Sequence, residues 1–344
     1  MGVDIMGKIT IFDVAKEAGV SKSTVSRVLN EKGNVNEKTR RKILKVMKKM
    51  NYHPNSSARS LVTKKTHTIG LVVPNITDTF FLQFIKGAED VGIKNEYNMM
   101  LVSSNWQVRD EWRYLRLLEE DRVDGILLIS GRNISDSYIE FLESEKTPIV
   151  IIDRVLEKNI IPTVNVDNVT GAYITTNYLL ENGHRKIAFV MGPNNMQAAL
   201  DRYEGYKNAL YDYNIKLSND LIYHGNFTKE SGYQATQKII NDWDDVTAIF
   251  YSNDGMALGG LKVFKEKGII VPDDISIVGC DNIRELSFID LPLTTLSQPR
   301  YKMGYTGMEL LIKIIENNNN IYPEKIVFNM EFINGQSVKN ISAR

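Results

Sequence analysis

The 344-residue chain has one cysteine, Cys280, and four scattered histidines. A single thiol can close no internal disulfide and build no multi-thiolate metal site. Cys280 therefore reads as a small buried hydrophobe beside a candidate cleft. His53, His67, His184 and His224 fall in no metal-ligand spacing. No apolar run approaches the ~18 residues needed to span a bilayer. Met1 to Lys8 carries neither an apolar core nor a cleavage pattern, so nothing there directs secretion and a cytoplasmic location is expected. The chain also lacks a phosphate loop, a Gly-x-Gly-x-x-Gly fingerprint and a Gly-x-Ser-x-Gly elbow. No general acid–base or nucleophile constellation emerges, so neither catalytic residues, metal nor cofactor are expected. What is present, 43% hydrophobic and 24% charged residues, is the balance of a globular protein of two or three domains.

The formal net charge of zero hides an asymmetry. From Lys8 to Lys65 there are 15 Lys and Arg against 4 Asp and Glu, a balance of +11, and the remainder of the chain carries −11. A basic head on an acidic body is the charge footprint of a polyanion-binding module joined to something that is not one.

Within that head, Thr10 to Asn30 reads as two short helices around a tight turn. Thr10 is a good N-cap, and Asp13 three residues on completes a capping box. Val14 and Ala15 supply small contacts for a close helix crossing. Gly19 sits where the first helix must stop in a left-handed conformation. Ser21 caps a second helix whose Val25, Val28 and Leu29 recur at helical spacing and face inward. That leaves Lys22, Ser23, Ser26 and Arg27 on the outer side, near the N-terminus that enters the major groove in this motif. A third helix begins at Asn36, with Ile43, Val46, Met47 and Met50 as its core stripe and seven Lys and Arg on its other faces.

From Ile69 onward, apolar runs alternate with amphipathic helices. Ile69–Val73, Met99–Val102, Gly125–Ile129 and Ile149–Ile152 read as buried parallel strands, followed by a second series at Ile187, Ala248 and Ile275. Two successive parallel α/β units imply two lobes with a cleft at the carboxyl ends of their strands. Candidate ligand residues lie just past strand ends: Asp153 and Arg154, Arg202, Asn253 and Asp281. Oriented carboxylates, amides and a guanidinium suit sugar hydroxyls, each of which both donates and accepts. Asp254 reads as a helix N-cap instead.

The runs Asp13-Val-Ala-Lys-Glu-Ala-Gly-Val-Ser, Thr24-Val-Ser-Arg-Val-Leu-Asn30 and Asn51-Tyr-His-Pro-Asn-Ser-Ser-Ala-Arg-Ser-Leu61 resemble the headpiece and hinge signatures of the lactose/galactose repressor family, whose relatives include ribose, purine and catabolite control repressors. The α/β series over residues 66 to 344 is similar to the family's type I periplasmic sugar-binding fold. The resemblance implies an all-α three-helix helix-turn-helix headpiece (8–53), a hinge helix and linker (54–65), and an α/β two-lobed, periplasmic-binding-protein-like sensing domain (66–344). Its N-lobe would comprise about 66–165 and 296–325, its C-lobe about 166–295 and 326–344.

By that resemblance Lys22, Ser23 and Arg27 contact base edges, with Arg27 the candidate for a bidentate guanine contact. Thr10, Ser21, Thr24, Ser26, Asn30, Asn55 and Ala58 complete the DNA-facing set. The hinge segment Ser56 to Val62 makes under two turns, marginal alone, and is expected to fold only on DNA beside its dimer mate. Leu61 is the apolar wedge for a minor-groove step, or else packs on the sensing domain. In the cleft, the family places Asp153, Arg202, Asn253 and Asp281 on the effector, with Phe80 and Phe81 as its walls. Phe227 is a third wall candidate. Purine-sensing relatives carry a further basic residue within Gly192 to Asp201 and an aromatic where this chain has Arg154. The departure favours a neutral sugar or polyol.

The expected protein is a transcriptional regulator, a repressor in sense, acting as a homodimer on a pseudo-palindromic operator. The dimer contact is expected mainly along the sensing domain, with Phe84 to Val91 and neighbouring helices as candidates. The tail after Gly335 lacks leucine heptads, so no coiled-coil tetramer is expected. The alternatives are a regulator gated by a phosphoprotein corepressor, as in catabolite control relatives, and a sugar receptor without a DNA role.

Overall fold

The computed structural model describes residues 9–29, 33, 35–52, 65–120, 123–131, 136–154, 156, 161–317 and 324–342. The chain separates into two compact units, Met1–Thr66 and His67–Arg344.

The first unit holds α1 (Ile11–Ala18), α2 (Lys22–Leu29) and α3 (Glu37–Lys49). Local chemistry sets each boundary. Asp13 N donates to Thr10 Oγ1 at 3.4 Å, and Thr10 N donates to Asp13 Oδ2 at 2.8 Å, closing a reciprocal cap worth about 1 kcal/mol. Gly19 ends α1 at φ 62°, a conformation that costs glycine no steric clash. Ser21 Oγ accepts from Thr24 N and Asn36 Oδ1 from Lys38 N, starting α2 and α3. Val14, Ala15 and Ala18 of α1 meet Val25 and Val28 of α2 and Ile43 of α3 in a small core, edged by Leu29, Val46, Met47 and Met50.

The second unit is built on two parallel sheets. The first contains β1 (Thr68–Val73), β2 (Asn98–Ser103), β3 (Gly125–Ile129), β4 (Ile149–Ile152), β5 (Thr163–Val166) and β11 (Lys325–Phe328), in the order β11-β5-β4-β3-β1-β2. The second contains β6 (Ile187–Met191), β7 (Ile222–His224), β8 (Ala248–Tyr251) and β9 (Ser276–Val278), ordered β7-β6-β8-β9. An antiparallel ribbon of β10 (Thr295–Ser297) and β12 (Glu331–Ile333) accompanies them. β11 pairs with β5, so the last crossing between lobes follows Phe328 rather than residue 325.

Strand alternation sorts the apolar side chains into one core on each face of each sheet. In the first sheet Ile69, Leu71, Leu127, Ile129, Val150 and Ile152 face α4 (Leu82–Lys94) and α11 (Arg300–Glu316). Val72, Ile126, Leu128 and Ile151 face α5 (Val108–Glu120) and α6 (Asp136–Ser144). In the second, Ile187, Phe189, Phe250 and Val278 pack with α7 (Asn168–Glu181) and α8 (Gln197–Asp212). Ala188, Val190, Ile249, Tyr251 and Ile277 pack with α9 (Lys229–Asp242) and α10 (Asp254–Lys267). Each fully buried aliphatic side chain stabilises by about 1.5–3 kcal/mol.

Part of the candidate dimer segment is internal. Phe84, Ala88 and Val91 are 0–1% exposed, because this stripe of α4 lies on α11 within its own unit. The two helices approach closely: a Cβ on Gly87 would stand 2.1 Å from Tyr301 O, and one on Gly304 would stand 2.0 Å from Phe84 O. The residues of α4 that remain outward include Leu82 and Ile93.

Candidate functional site

On α2 the residues expected to read DNA fall on one outward face. Lys22, Ser23 and Arg27 are exposed, Thr24 and Ser26 half-buried, and Val25 and Val28 anchor the opposite side. Ser21 Oγ lies 2.7 Å from Ser23 Oγ and 2.8 Å from Thr24 Oγ1, which ties the start of the helix together. Sequence reasoning missed Phe12. It is 62% exposed, and Lys22 Nζ sits 4.6 Å from the centre of its ring, which orients that ammonium. An aromatic three residues before the hydrophobic Ala15 looks like core in sequence, and only the turn of α1 puts it outside. Asn30, Asn55, Ala58 and Leu61, with the hinge helix, lie outside the described residues.

In the second unit a cleft of about 310 Å³ opens at the carboxyl ends of both sheets, where such folds bind ligands. Nearly every strand end contributes to it: Asp78, Phe80 and Phe81 after β1, Trp106 after β2, Asp153 after β4, Phe227 after β7, Asn253 after β8 and Asp281 after β9. Arg202 reaches in from α8. Four of these residues hold left-handed backbone without being glycine: Trp106 (φ 59°), Asp153 (φ 67°), Phe227 (φ 67°) and Asp281 (φ 116°). Strain of this kind, ~1–3 kcal/mol per residue, persists only where surrounding structure enforces it, and it concentrates at binding sites.

The polar wall is already assembled. Arg202 donates Nε to Asn168 Oδ1 at 2.9 Å, Nη1 to Ser252 O, and Nη2 to Asp281 Oδ1 at 3.2 Å. Gln298 Nε2 also donates to Asp281 Oδ1, at 2.6 Å. Arg202 and Asp281 are 3% and 5% exposed, so the pair is bonded out of water and held in one geometry. Burial pushes the Asp153 carboxyl up to about 7; Arg202 pulls it down and Asp281 pushes it further up. Burial likewise raises Asp254 to about 8 and holds the Cys280 thiol well above its ordinary range. Cys280 is 0% exposed, as expected for a packed hydrophobe.

The apolar wall is aromatic. Phe80 and Phe81 meet edge-to-face at 5.0 Å, and Trp106 lies 5.7 Å from Phe81. Trp106 packs against the cores of both lobes. Hydrogen bonds join the lobes at the rim, from Thr79 Oγ1 to Glu285 Oε1 at 2.7 Å and from Gln197 N to Gly131 O at 3.2 Å.

Two expectations fail. Arg154 is absent from the lining. Its backbone follows Asp153 off the end of β4, and the alternation of side chains sends it to the opposite face of the sheet. There it is 2% exposed, with its guanidinium 5.9 Å from the Tyr138 ring and no hydrogen-bond partner for its nitrogens among the described residues. Arg154 therefore says nothing about purine or sugar preference. The cap of α10 is Asn253, whose Oδ1 accepts from Met256 N at 2.9 Å while its Nδ2 donates to Phe227 O at 3.0 Å. Asp254 is a buried acceptor for Thr295 Oγ1 and Ile283 N. The cleft residues that sequence reasoning missed include Asp78, Trp106, Lys229 and Glu285. Asp78, Trp106 and Lys229 follow strands β1, β2 and β7, so the rule that found Asp153 reaches them too; Glu285, in a 3-10 turn beyond Asp281, has no such signal.

Residues 10–55 match the family described as bacterial regulatory proteins, lacI family, and residues 66–335 match that of periplasmic binding proteins and the sugar-binding domain of the LacI family. The chain belongs to the LacI family. It is 36% identical to the HTH-type transcriptional regulator RegA of Clostridium saccharobutylicum over 95% of this chain and 98% of that protein. A lac repressor dimer bound to operator and an anti-inducer superposes with a TM-score of 0.86 at 25% identity, over 96% of this chain and 99% of that one. A complex of the transcriptional regulator CelR with cellobiose gives 0.73 at 29% identity, over 96% and 99%. This LacI-family protein is a DNA-binding transcriptional regulator, in a family of regulators rather than enzymes. Among the described residues no helix is long and apolar enough to cross a membrane.

Proposed function

We propose that this LacI-family regulator binds its operator as a homodimer and that a small sugar or polyol in the inter-lobe cleft sets its operator affinity. One observation carries the effector reading: a cavity that sets Asp153 and the hydrogen-bonded pair of Arg202 and Asp281 opposite an aromatic wall. Fixed acceptors and donors orient hydroxyls, and flat rings cover the apolar face of a pyranose. CelR, a structural neighbour, is seen with cellobiose. Ligand occupancy biases lobe closure, and the coupling to DNA is set by the difference in affinity for the two states, ~1–3 kcal/mol. On the DNA side Arg27 makes the main base contact, with Lys22 and Ser23 beside it. Homodimer formation is supported by outward apolar side chains on α4 and the edge strand β2, namely Leu82, Ile93, Met100 and Leu101, in place of the Phe84–Val91 stripe.

Isothermal titration against a panel of sugars and nucleobases tests the effector reading, followed by gel shift with and without each binder. A sugar that binds and changes operator affinity supports it. Binding by nucleobases alone overturns it. Light scattering of the free protein tests the homodimer, which a monomeric mass would refute.

A further inference from the structure

The cleft is lopsided in charge. Four carboxylates line it, Asp78, Asp153, Asp281 and Glu285, against two cations, Arg202 and Lys229. Each guanidinium nitrogen of Arg202 already donates once, to Asn168, Ser252 and Asp281, and its charge is matched by the Asp281 carboxylate. Lys229 is exposed at the mouth, where water and salt screen it. Arg300 stands outside the lining, stacked 5.1 Å from the Phe80 ring, with Nη2 donating to Asn282 O at 2.8 Å.

Glu285 is the pivotal residue of this rim. One oxygen, Oε1, accepts from Thr79 across the lobes at 2.7 Å. The other, Oε2, is cut off from solvent and finds no donor among the described residues. A buried acceptor left unpaired is destabilising. A hydroxyl or ammonium brought to this rim offers the carboxylate a donor, whereas a phosphate dianion there offers only acceptors. On the facing lobe Asp78 Oδ1 accepts from Phe80 N at 3.0 Å. Burial raises the proton affinity of Asp78, and repulsion from Asp281 and Glu285 raises it further, so the two rim carboxylates already oppose a third negative charge.

We propose that the cleft selects uncharged or amine-bearing sugars and rejects phosphorylated ones, and that Asp78 and Glu285 are the residues that enforce this choice. The proposal rests on the sugar reading of the cleft. The starts of α9 and α10, which would otherwise attract an anion, have their own caps: Thr228 Oγ1 takes Ser231 N and Asn253 Oδ1 takes Met256 N. Like charges brought together in a desolvated site cost several kcal/mol, which is enough to decide between two ligands alike in every hydroxyl but one.

Calorimetry and thermal shift on the full chain test this with matched pairs: glucose and glucose 6-phosphate, ribose and ribose 5-phosphate, with glucosamine alongside. The expected order places glucosamine at or above glucose, and each phosphate at least about tenfold weaker than its parent sugar. The double variant Asp78→Asn, Glu285→Gln keeps an acceptor for Phe80 N and for Thr79 while removing both charges. In it the gap between sugar and phosphate should narrow by at least about tenfold. A phosphate that binds as tightly as its parent overturns the proposal and leaves the sugar reading standing, as does a gap unchanged in the double variant. If no member of the panel binds while a nucleobase does, the sugar reading itself fails, and the proposal falls with it.

Discussion

The two candidate sites of this regulator are built in opposite ways. On α2, Lys22, Ser23 and Arg27 stand exposed on a short helix whose fold depends on the other face. In the cleft, Arg202 and Asp281 are buried and bonded to each other, and their hydrogen-bond partners Asn168, Ser252 and Gln298 come from three further segments of chain. Residues of the first kind are free to be specific because nothing in the fold relies on them. Residues of the second kind belong to the fold as much as to the site, so effector chemistry and stability are coupled there. A regulator gains from the division: operator preference can change by surface substitution without disturbing the buried network of the sensor.

The comparison breaks most visibly at Arg202. Arg202→Ala should cost about 3–5 kcal/mol of stability, because it leaves Asp281 buried without its cation; urea unfolding measures it, and a loss below about 1 kcal/mol would show the buried network to be dispensable. Arg27→Ala should cost about 1–3 kcal/mol in operator binding and relax selectivity at one position, with the unfolding midpoint unmoved. A gel-shift panel checks the first effect, and a shifted midpoint would contradict the division drawn above. Effector binding should depend on pH through Asp153, whose carboxyl titrates at about 7 in the empty cleft. Ligand hydroxyls donating to the carboxylate lower that value in the complex, so affinity is complete above pH 7 and declines as pH falls through it, by up to about tenfold per unit. Titrations between pH 8 and 6 read this, and Asp153→Asn should flatten the profile. The smallest effect belongs to the cap: Thr10→Ala should destabilise the first unit by about 1 kcal/mol, seen as a modest fall in its melting temperature.

The headpiece was legible in sequence almost to the residue. Thr10, Asp13, Gly19, Ser21 and Asn36 act through hydrogen bonds to backbone within four positions, and such chemistry is readable from spacing alone. Phe12 escaped because a short helix exposes one apolar position as easily as it buries another. In the sensing unit, strands and cleft position followed from apolar periodicity, and the rule of strand carboxyl ends found Asp153, Asn253 and Asp281 at the wall. The same rule failed at Arg154, since neighbours in sequence leave a strand on opposite faces and only the register decides which turns inward. It also assigned the α10 cap to Asp254 when Asn253 holds it, an error of one residue that reverses which side chain is buried.

Sequence by itself determined the elements, their caps, the two-unit organisation and the residue types available for DNA and ligand, because each rests on interactions between near neighbours. Tertiary structure alone decided that Glu285 meets Thr79 across the lobes, that Arg202 is bonded to Asn168, Ser252 and Asp281, and that Phe84 faces inward. Those facts join residues as many as 206 positions apart, and no local periodicity encodes a contact that exists only once two lobes have packed.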